Sequence, residues 1–353
     1  MYKIDLTIAK DQEVFVGIDV SKRSYAVMIR SGGQELYGCK VAAAYPHLHA
    51  LWARLPGCRI HAVYEAGFSG FGLHDQLNTD GIDAWVTPPS KIPRSHDRVK
   101  TDRLDARVLA RELENGSPRR CRVLTEPARA AREWSRYLSQ LTAQQTRLKT
   151  QIKMRLAWNG IEPLLDAPRR WSRAYRAQIV TMVGDTGPIA MIIRDMLDRL
   201  ALLEQRMTII KQTLRRIGRS EAYCEQVRLW QTAPGIGWLT ATRLALEWGD
   251  LTAFRNGEAF ASYLGLTPSE HSTGEHVHRG PITGQGNGAV RAWLVEAAWK
   301  AITIDPALGA RFRRLAPVPA SRKRAIVAIA RTLAMRLRAC WLKRQSYVLG
   351  IVR

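Results

Sequence analysis

The sequence predicts an α/β domain followed by an all-α remainder, and three observations predict it. Short apolar runs separated by turn residues fill the first ninety or so residues. After about residue 127 the apolar positions fall at helical spacing. From Ile193 to Ile217 they alternate steps of three and four without a miss.

VFVGIDVS, YAVMIRSG and ELYGCKV read as three strands across 14–40, the second and third joined at Gly32 and Gly33. A helix over 46–55 follows, then the strand RIHAVYEA at 59–66. GFGLHDQLNTDG makes a helix ending at Gly81, IDAWVTP a strand closed by Pro88 and Pro89, and 102–114 a helix. This β-β-β-α-β-α-β-α order is that of the ribonuclease H-like fold. Trp134, Leu138, Leu141, Leu148 and Ile152 mark a helix over 127–158, and Pro163 and Pro168 interrupt it. The stripe from Ile193 belongs to a helix over about 189–217, and fits a core face, a helical hairpin or an intermolecular coiled coil. A compact helical part over 225–305 leads to a tail, 306–353, that contains no acid. That tail has eleven Lys or Arg from Arg311 to Arg344, on a helix placed after Pro317 and Pro319.

The 353 residues include 54 Lys and Arg against 31 Asp and Glu, a net charge of +23. Such an excess points to a polyanionic partner, because clustered cations displace the counterions held by nucleic-acid phosphates. Five scattered cysteines form no C-x-x-C pair, so neither a disulfide framework nor a zinc site is expected. The charged start, MYKIDLTIAKDQE, does not read as a signal peptide, and no apolar run reaches the ~18 residues that span a bilayer. A cytoplasmic, nucleoid-associated protein without a membrane partner is the expectation.

Four acids stand out by placement. Asp19 lies inside an apolar strand, where a carboxylate is costly unless a cation or hydrogen bonds satisfy it. Glu65 ends the strand HAVYE. Asp102 and Asp105, three apart, share one face of a helix near its N-terminus, where negative charge complements the helix dipole. In a ribonuclease H-like sheet the four would converge, and their hard oxygen donors suit Mg²⁺ or Mn²⁺.

A second group lies toward the C-terminus. The loop LGLTPSEHSTGEHVHRGPITGQGN exposes Ser272, Thr273 and Gly274, with Arg279 as a phosphate clamp and Ser269 as a cap or turn residue. His271, His276 and His278 have no recognised zinc spacing. APGIGWLTA fits a helix-hairpin-helix element or a plain helical turn; in the former, Gly235 and Gly237 let backbone amides approach phosphate. Arg322, Lys323 and Arg324 of the tail complete the nucleic-acid-binding candidates. No G-x-x-x-x-G-K-[ST] loop is present.

FVGIDVSK, VYEAGFSG and VKTDRLDARVLA in front, with APGIGWLTA, FASYLGLTPSEHSTGE, RGPITGQGN and RAWLVEAAW behind, resemble one family over nearly the whole chain. It is the DEDD transposases of the one-ten/eleven-eleven group of bacterial insertion sequences, with the related Piv-type DNA invertases. The resemblance implies a RuvC-like ribonuclease H-fold domain at 1–125, a coiled-coil connector at 126–222 and a C-terminal transposase domain at 223–353. It implies an acidic tetrad of Asp19, Glu65, Asp102 and Asp105 holding Mg²⁺, and a serine that bonds covalently to DNA. It further implies a structured guide RNA that pairs with donor and target DNA, and assembly as dimers to tetramers. Some members place the serine directly before the glycine; here Thr273 stands there, so Ser272 is assigned the role and Thr273 held second. The runner-up readings are a metal-dependent nuclease of the Holliday-junction-resolvase type and a non-catalytic nucleic-acid-binding scaffold.

Overall fold

The computed structural model describes residues 11–89, 101–161, 171–270 and 279–351. Two compact units divide the chain, Met1–Leu124 and Thr125–Arg353.

The first unit contains β1 (Glu13–Val20), β2 (Ser24–Ser31), β3 (Gln34–Ala42), α1 (Tyr45–Trp52), β4 (Arg59–Glu65), α2 (Gly72–Thr79), β5 (Asp83–Thr87) and α3 (Asp102–Glu114), in the predicted order. The five strands pair as β3-β2-β1-β4-β5. The first three are antiparallel; β1 with β4 and β4 with β5 are parallel. Alternation along the strands sends Val14, Val16, Ile18, Ile60, Ala62 and Tyr64 to one face, against Leu48, Trp52 and Leu77 of α1 and α2. The other face packs on α3: Ala26 and Met28 meet Ala106 and Ala110, and Val63 meets Leu109 and Leu113.

Gly17 sets how close α3 lies. A Cβ there would overlap the Ala106 carbonyl oxygen and the Ala110 amide nitrogen, so helix and strand touch through bare backbone. At the front of α3, the Thr101 hydroxyl accepts from the Leu104 amide at 3.4 Å and caps the helix.

The second unit opens on α4 (Glu126–Trp158), α5 (Arg173–Val183) and α6 (Pro188–Gly218). Leu138 and Leu141 of α4 pack with Met207, Ile210 and Leu214 of α6, and Leu148, Ile152 and Leu156 with Ile193, Met196 and Leu200. The early part of one helix meets the late part of the other, so they run antiparallel. The three-four stripe is thus filled within the same chain. The sequence did not predict α5, whose Tyr175 and Ile179 are its two buried positions.

Then come α7 (Cys224–Gln231), α8 (Trp238–Trp248), α9 (Gly257–Tyr263), β6 (Pro268–Glu270), β7 (Arg279–Ile282), α10 (Gly288–Ile304), α11 (Pro306–Leu315) and α12 (Arg322–Leu342). Trp230, Trp248, Phe260, Leu294, Ile329 and Leu333 are fully buried at their centre. Within the mainly helical part, the segment read as a loop carries the β6–β7 ribbon, whose strands are too short to show a period of two. Ser269, expected at a cap or turn, lies in β6 and donates its hydroxyl to the Pro281 carbonyl at 3.1 Å.

Asp305, fully buried between α10 and α11, gathers the end of the chain. Its carboxylate accepts from the Leu308 amide at 2.9 Å, Arg336 at 2.7 Å, the Tyr347 hydroxyl at 2.7 Å and the Gly350 amide at 3.2 Å. Burial pushes its pKa up, but these donors outweigh burial and hold it below the ordinary carboxylate value.

Two outcomes follow from this packing. Gly17→Ala, measured by urea unfolding, should destabilise the first unit by about 1–3 kcal/mol, because α3 must shift to admit the methyl. Asp305 has a depressed folded pKa, so its contribution is present above the unfolded value and is lost as pH falls through the folded one. Asp305→Asn should therefore cost about 3 kcal/mol at neutral pH and flatten the acid limb of a Tm-against-pH curve.

Candidate functional site

Strand register places Asp19 and Glu65. The last β1–β4 pair is Ile18 with Tyr64, so Asp19 and Glu65 stand one residue beyond it on adjacent parallel strands. Ile18 and Tyr64 turn to the α1–α2 face, so the two acids turn to the face that α3 covers. Both are half-buried, and each has further polar or charged interactions.

The helix acids lie toward the same end. Across the sheet, Asp19 pairs with Ala26, and Ala26 with Lys40 of β3. The Lys40 ammonium donates to Asp102 at 2.9 Å, which ties the first turn of α3 to that row. Asp105, also in that turn, is half-buried and has interactions of its own. Asp102 is exposed, and its hydrogen bond and attraction to Lys40 lower its pKa. The sequence reading missed Lys40; its place in the β3 alternation, two strands from Asp19, was the available signal.

All four donors are carboxylate oxygens, the chemistry a hard divalent cation takes. Among the described residues, no three His, Cys, Asp or Glu side chains stand close enough to form a metal-binding cluster. The acids thus share one face at one end of the sheet without closing into a cage.

In the second unit, Ser272, Thr273 and the three histidines of that loop lie outside the described residues. The β6–β7 ribbon brackets them. Its feet are tied by Arg291, which donates to the Leu264 carbonyl at 3.2 Å and the Gln285 carbonyl at 2.9 Å. Gly265 and Gly286, both at positive φ, pass so near Gln285 and Tyr263 that a Cβ on either would strike backbone oxygen. Arg279 begins β7.

Gly235, at φ +81°, backs onto the Ala297 carbonyl of α10, so packing already requires a glycine there. Gly237 is the N-cap of α8 and faces open space. Arg322, Lys323 and Arg324 are exposed in the first turn of α12. Cations at that end oppose the helix dipole, a cost an anionic partner would offset.

Sequence reasoning also missed the charges packed between α4 and α8. Glu247, 4% exposed, accepts from Arg136 at 3.2 and 3.3 Å. Arg243, 9% exposed, lies 3.8 Å over the Trp293 ring and bonds to Ser135 and Ser139. Burial pushes its pKa down to about 10, against the pull of Glu247. An arginine and a glutamate four apart inside the apolar run RLALEW were the available signal.

Two transposase family models match separate parts of the chain. A DEDD transposase model of the IS110 type matches residues 16–157, and a model described as "Transposase IS116/IS110/IS902 family" matches residues 227–313. The class of protein is therefore a DEDD transposase. "Putative transposase y4qE" of Sinorhizobium fredii is 30% identical over 298 residues, covering 83% of this chain and 73% of that protein. "Transposase for insertion sequence element IS1533" of Leptospira borgpetersenii is 25% identical over 258 residues, covering 70% and 72%. The IS1111A transposase of Coxiella burnetii is 22% identical over 284 residues, covering 80% and 76%. The chain belongs to the IS110/IS116/IS902 family of insertion-sequence transposases. No helix among the described residues is long and apolar enough to cross a membrane.

Replacing Lys40 by Met should raise the Asp102 pKa toward the ordinary carboxylate value, since its lysine partner lowers it. A carboxyl-carbon NMR titration would read the shift; an unmoved Asp102 would mean that another group holds it.

Proposed function

We propose that this transposase cuts and rejoins DNA strands through a serine–DNA covalent intermediate, assisted by the acidic site. The observation that carries the reading is the placement of Asp19 and Glu65 at the ends of adjacent parallel strands, under the helix whose first turn bears Asp102 and Asp105. The sheet order β3-β2-β1-β4-β5, with α3 across it, supports a RuvC-like ribonuclease H fold for residues 1–125. We assign 126–222 as a coiled-coil connector and 223–353 as the catalytic C-terminal domain.

Asp19, Glu65, Asp102 and Asp105 would hold Mg²⁺ or Mn²⁺, which when bound supplies Lewis-acid stabilisation of charge on a phosphodiester. In the proposed chemistry the Ser272 hydroxyl loses its proton and attacks phosphorus. One P–O bond of the DNA breaks, its oxygen leaves as a hydroxyl, and a phosphoserine link forms. Attack on that link by a DNA hydroxyl rejoins a strand and returns the serine. The number of phosphodiester bonds is conserved, so no nucleotide triphosphate is consumed. Thr273 is the second candidate for the nucleophile. Arg279, the backbone near Gly235 and Gly237, and Arg322, Lys323 and Arg324 are assigned to nucleic-acid phosphates. The family resemblance and the +23 charge support a guide RNA beside donor and target DNA, in a dimer to tetramer in the cytoplasm.

Trapping the covalent adduct tests the scheme. Ser272→Ala should abolish a denaturation-resistant protein–DNA adduct; an adduct that survives this change but not Thr273→Ala moves the assignment by one residue. Asp19→Asn or Asp105→Asn should lower recombination by at least about 100-fold while nucleic-acid binding stays nearly intact. Full activity in EDTA would remove the metal from the scheme. Products that are cut and never joined would favour a nuclease.

A further inference from the structure

Between α4 and α10, floored by α8, lies a cleft of about 510 Å³, with an adjoining lobe of about 430 Å³ that shares Ser139, Ala289 and Trp293. All three helices belong to the second unit. Its walls come from Ser139, Thr142 and Arg147 of α4, Arg243 of α8, and Ala289 and Trp293 of α10.

Three features give this cleft a chemistry. First, it is cationic: Arg136, Arg147 and Arg243 line the two lobes against one carboxylate, Glu247. Glu247 is already engaged by Arg136, and Arg243 is held by Ser135, Ser139 and Trp293. Among the described cations lining the cleft, Arg147, exposed on α4, is the one left to meet a ligand. Second, the walls are made of small side chains: Ala143, Ala289, Ala292 and the short hydroxyl residues Ser139 and Thr142 leave depth between the helices. Third, Trp293 is a rigid aromatic wall. The Arg243 guanidinium lies over its ring at 3.8 Å, and Trp293 lines both lobes of the cleft.

An exposed arginine, small walls and a fixed indole are the combination that receives an unpaired nucleotide. The cation meets the phosphate, and the indole meets a base that is not stacked in a duplex. We propose that this cleft binds a single-stranded nucleotide segment, with phosphate at Arg147 and a base against Trp293. A base-paired duplex does not satisfy it, because its bases are already stacked on one another. The shared chemistry is a phosphodiester with a free base, from DNA or RNA. The proposal does not depend on the serine or acidic chemistry, which draws on other residues.

The test uses the full-length protein and twelve-residue oligonucleotides, dT and rU, with one 5-iodo-substituted base for photo-crosslinking. The crosslinked peptide should map to α10 and contain Trp293. Arg147→Glu should weaken binding about tenfold, and Ala143→Trp, which fills the cleft from an exposed position without changing charge, by at least about fivefold. Circular dichroism melting of both variants checks that they fold. Crosslinking by dT alone assigns the cleft to DNA, by rU alone to RNA, and by both to the shared chemistry. Crosslinks that map away from α10, or unchanged affinity in a folded Ala143→Trp, would overturn the proposal. So would equal crosslinking at Trp293 by a blunt duplex. Adduct formation by Ala143→Trp on a preassembled, nicked substrate reads the serine chemistry separately.

Discussion

The first unit depends on one close approach, the contact of α3 with β1 at Gly17. With no Cβ in the way, the helix lies on the strand at backbone distance, and Ala26, Ala106 and Ala110 leave room on either side. Any larger residue there would lift the helix and rotate its first turn. That turn bears Asp102 and Asp105, and the strand beneath bears Asp19, so the packing constraint and the chemistry occupy the same few residues. The carboxylates sit where β1 and β4 end, and Lys40 reaches across from β3 to fasten Asp102. An exposed ion pair of this kind contributes little to stability. Its consequence is electrostatic, in holding Asp102 ionised.

The second unit solves a different problem, how to place charge inside a helical core. Arg243 and Glu247 sit one turn apart on a largely buried helix, and each finds partners on α4. Trp293 adds a face for the Arg243 guanidinium, so the charge is met by oxygen on one side and by a π system on the other. Asp305 is the mirror case, a carboxylate with no exposure that collects two backbone amides, an arginine and a tyrosine hydroxyl. It draws the end of the chain back onto α11 and α12. Buried charges so fully engaged cost much when one partner is removed, which is why these residues act as fasteners.

Long periodic elements were legible in the sequence, because burial of one face imposes a period the eye can follow. The 189–217 stripe became Pro188–Gly218, and 127–158 became Glu126–Trp158. The front order of strands and helices was legible for the same reason, together with its Gly and Pro punctuation. The β6–β7 ribbon was not, since three or four residues carry no period. Helix α5 was not, since only two of its residues are buried. Asp19 was legible as a site residue because a carboxylate inside an apolar strand needs a reason. Lys40 and Arg243 were not, because a lone cation looks alike on any surface until its partner is known.

The sequence by itself determined the strands and helices of the front and the long helices of the middle, that the protein is strongly cationic, and which acids stand in chemically costly places. These follow from local propensity, periodicity and composition, all written along the chain. Only the tertiary structure decided that Asp19 and Glu65 end adjacent parallel strands on the face beneath α3, that Lys40 holds Asp102, and that Gly235 is required by α10. It alone decided that Arg243, Arg147 and Trp293 line one cleft. These facts join residues dozens of positions apart, and such proximity is set by strand order and helix packing, which no local pattern encodes.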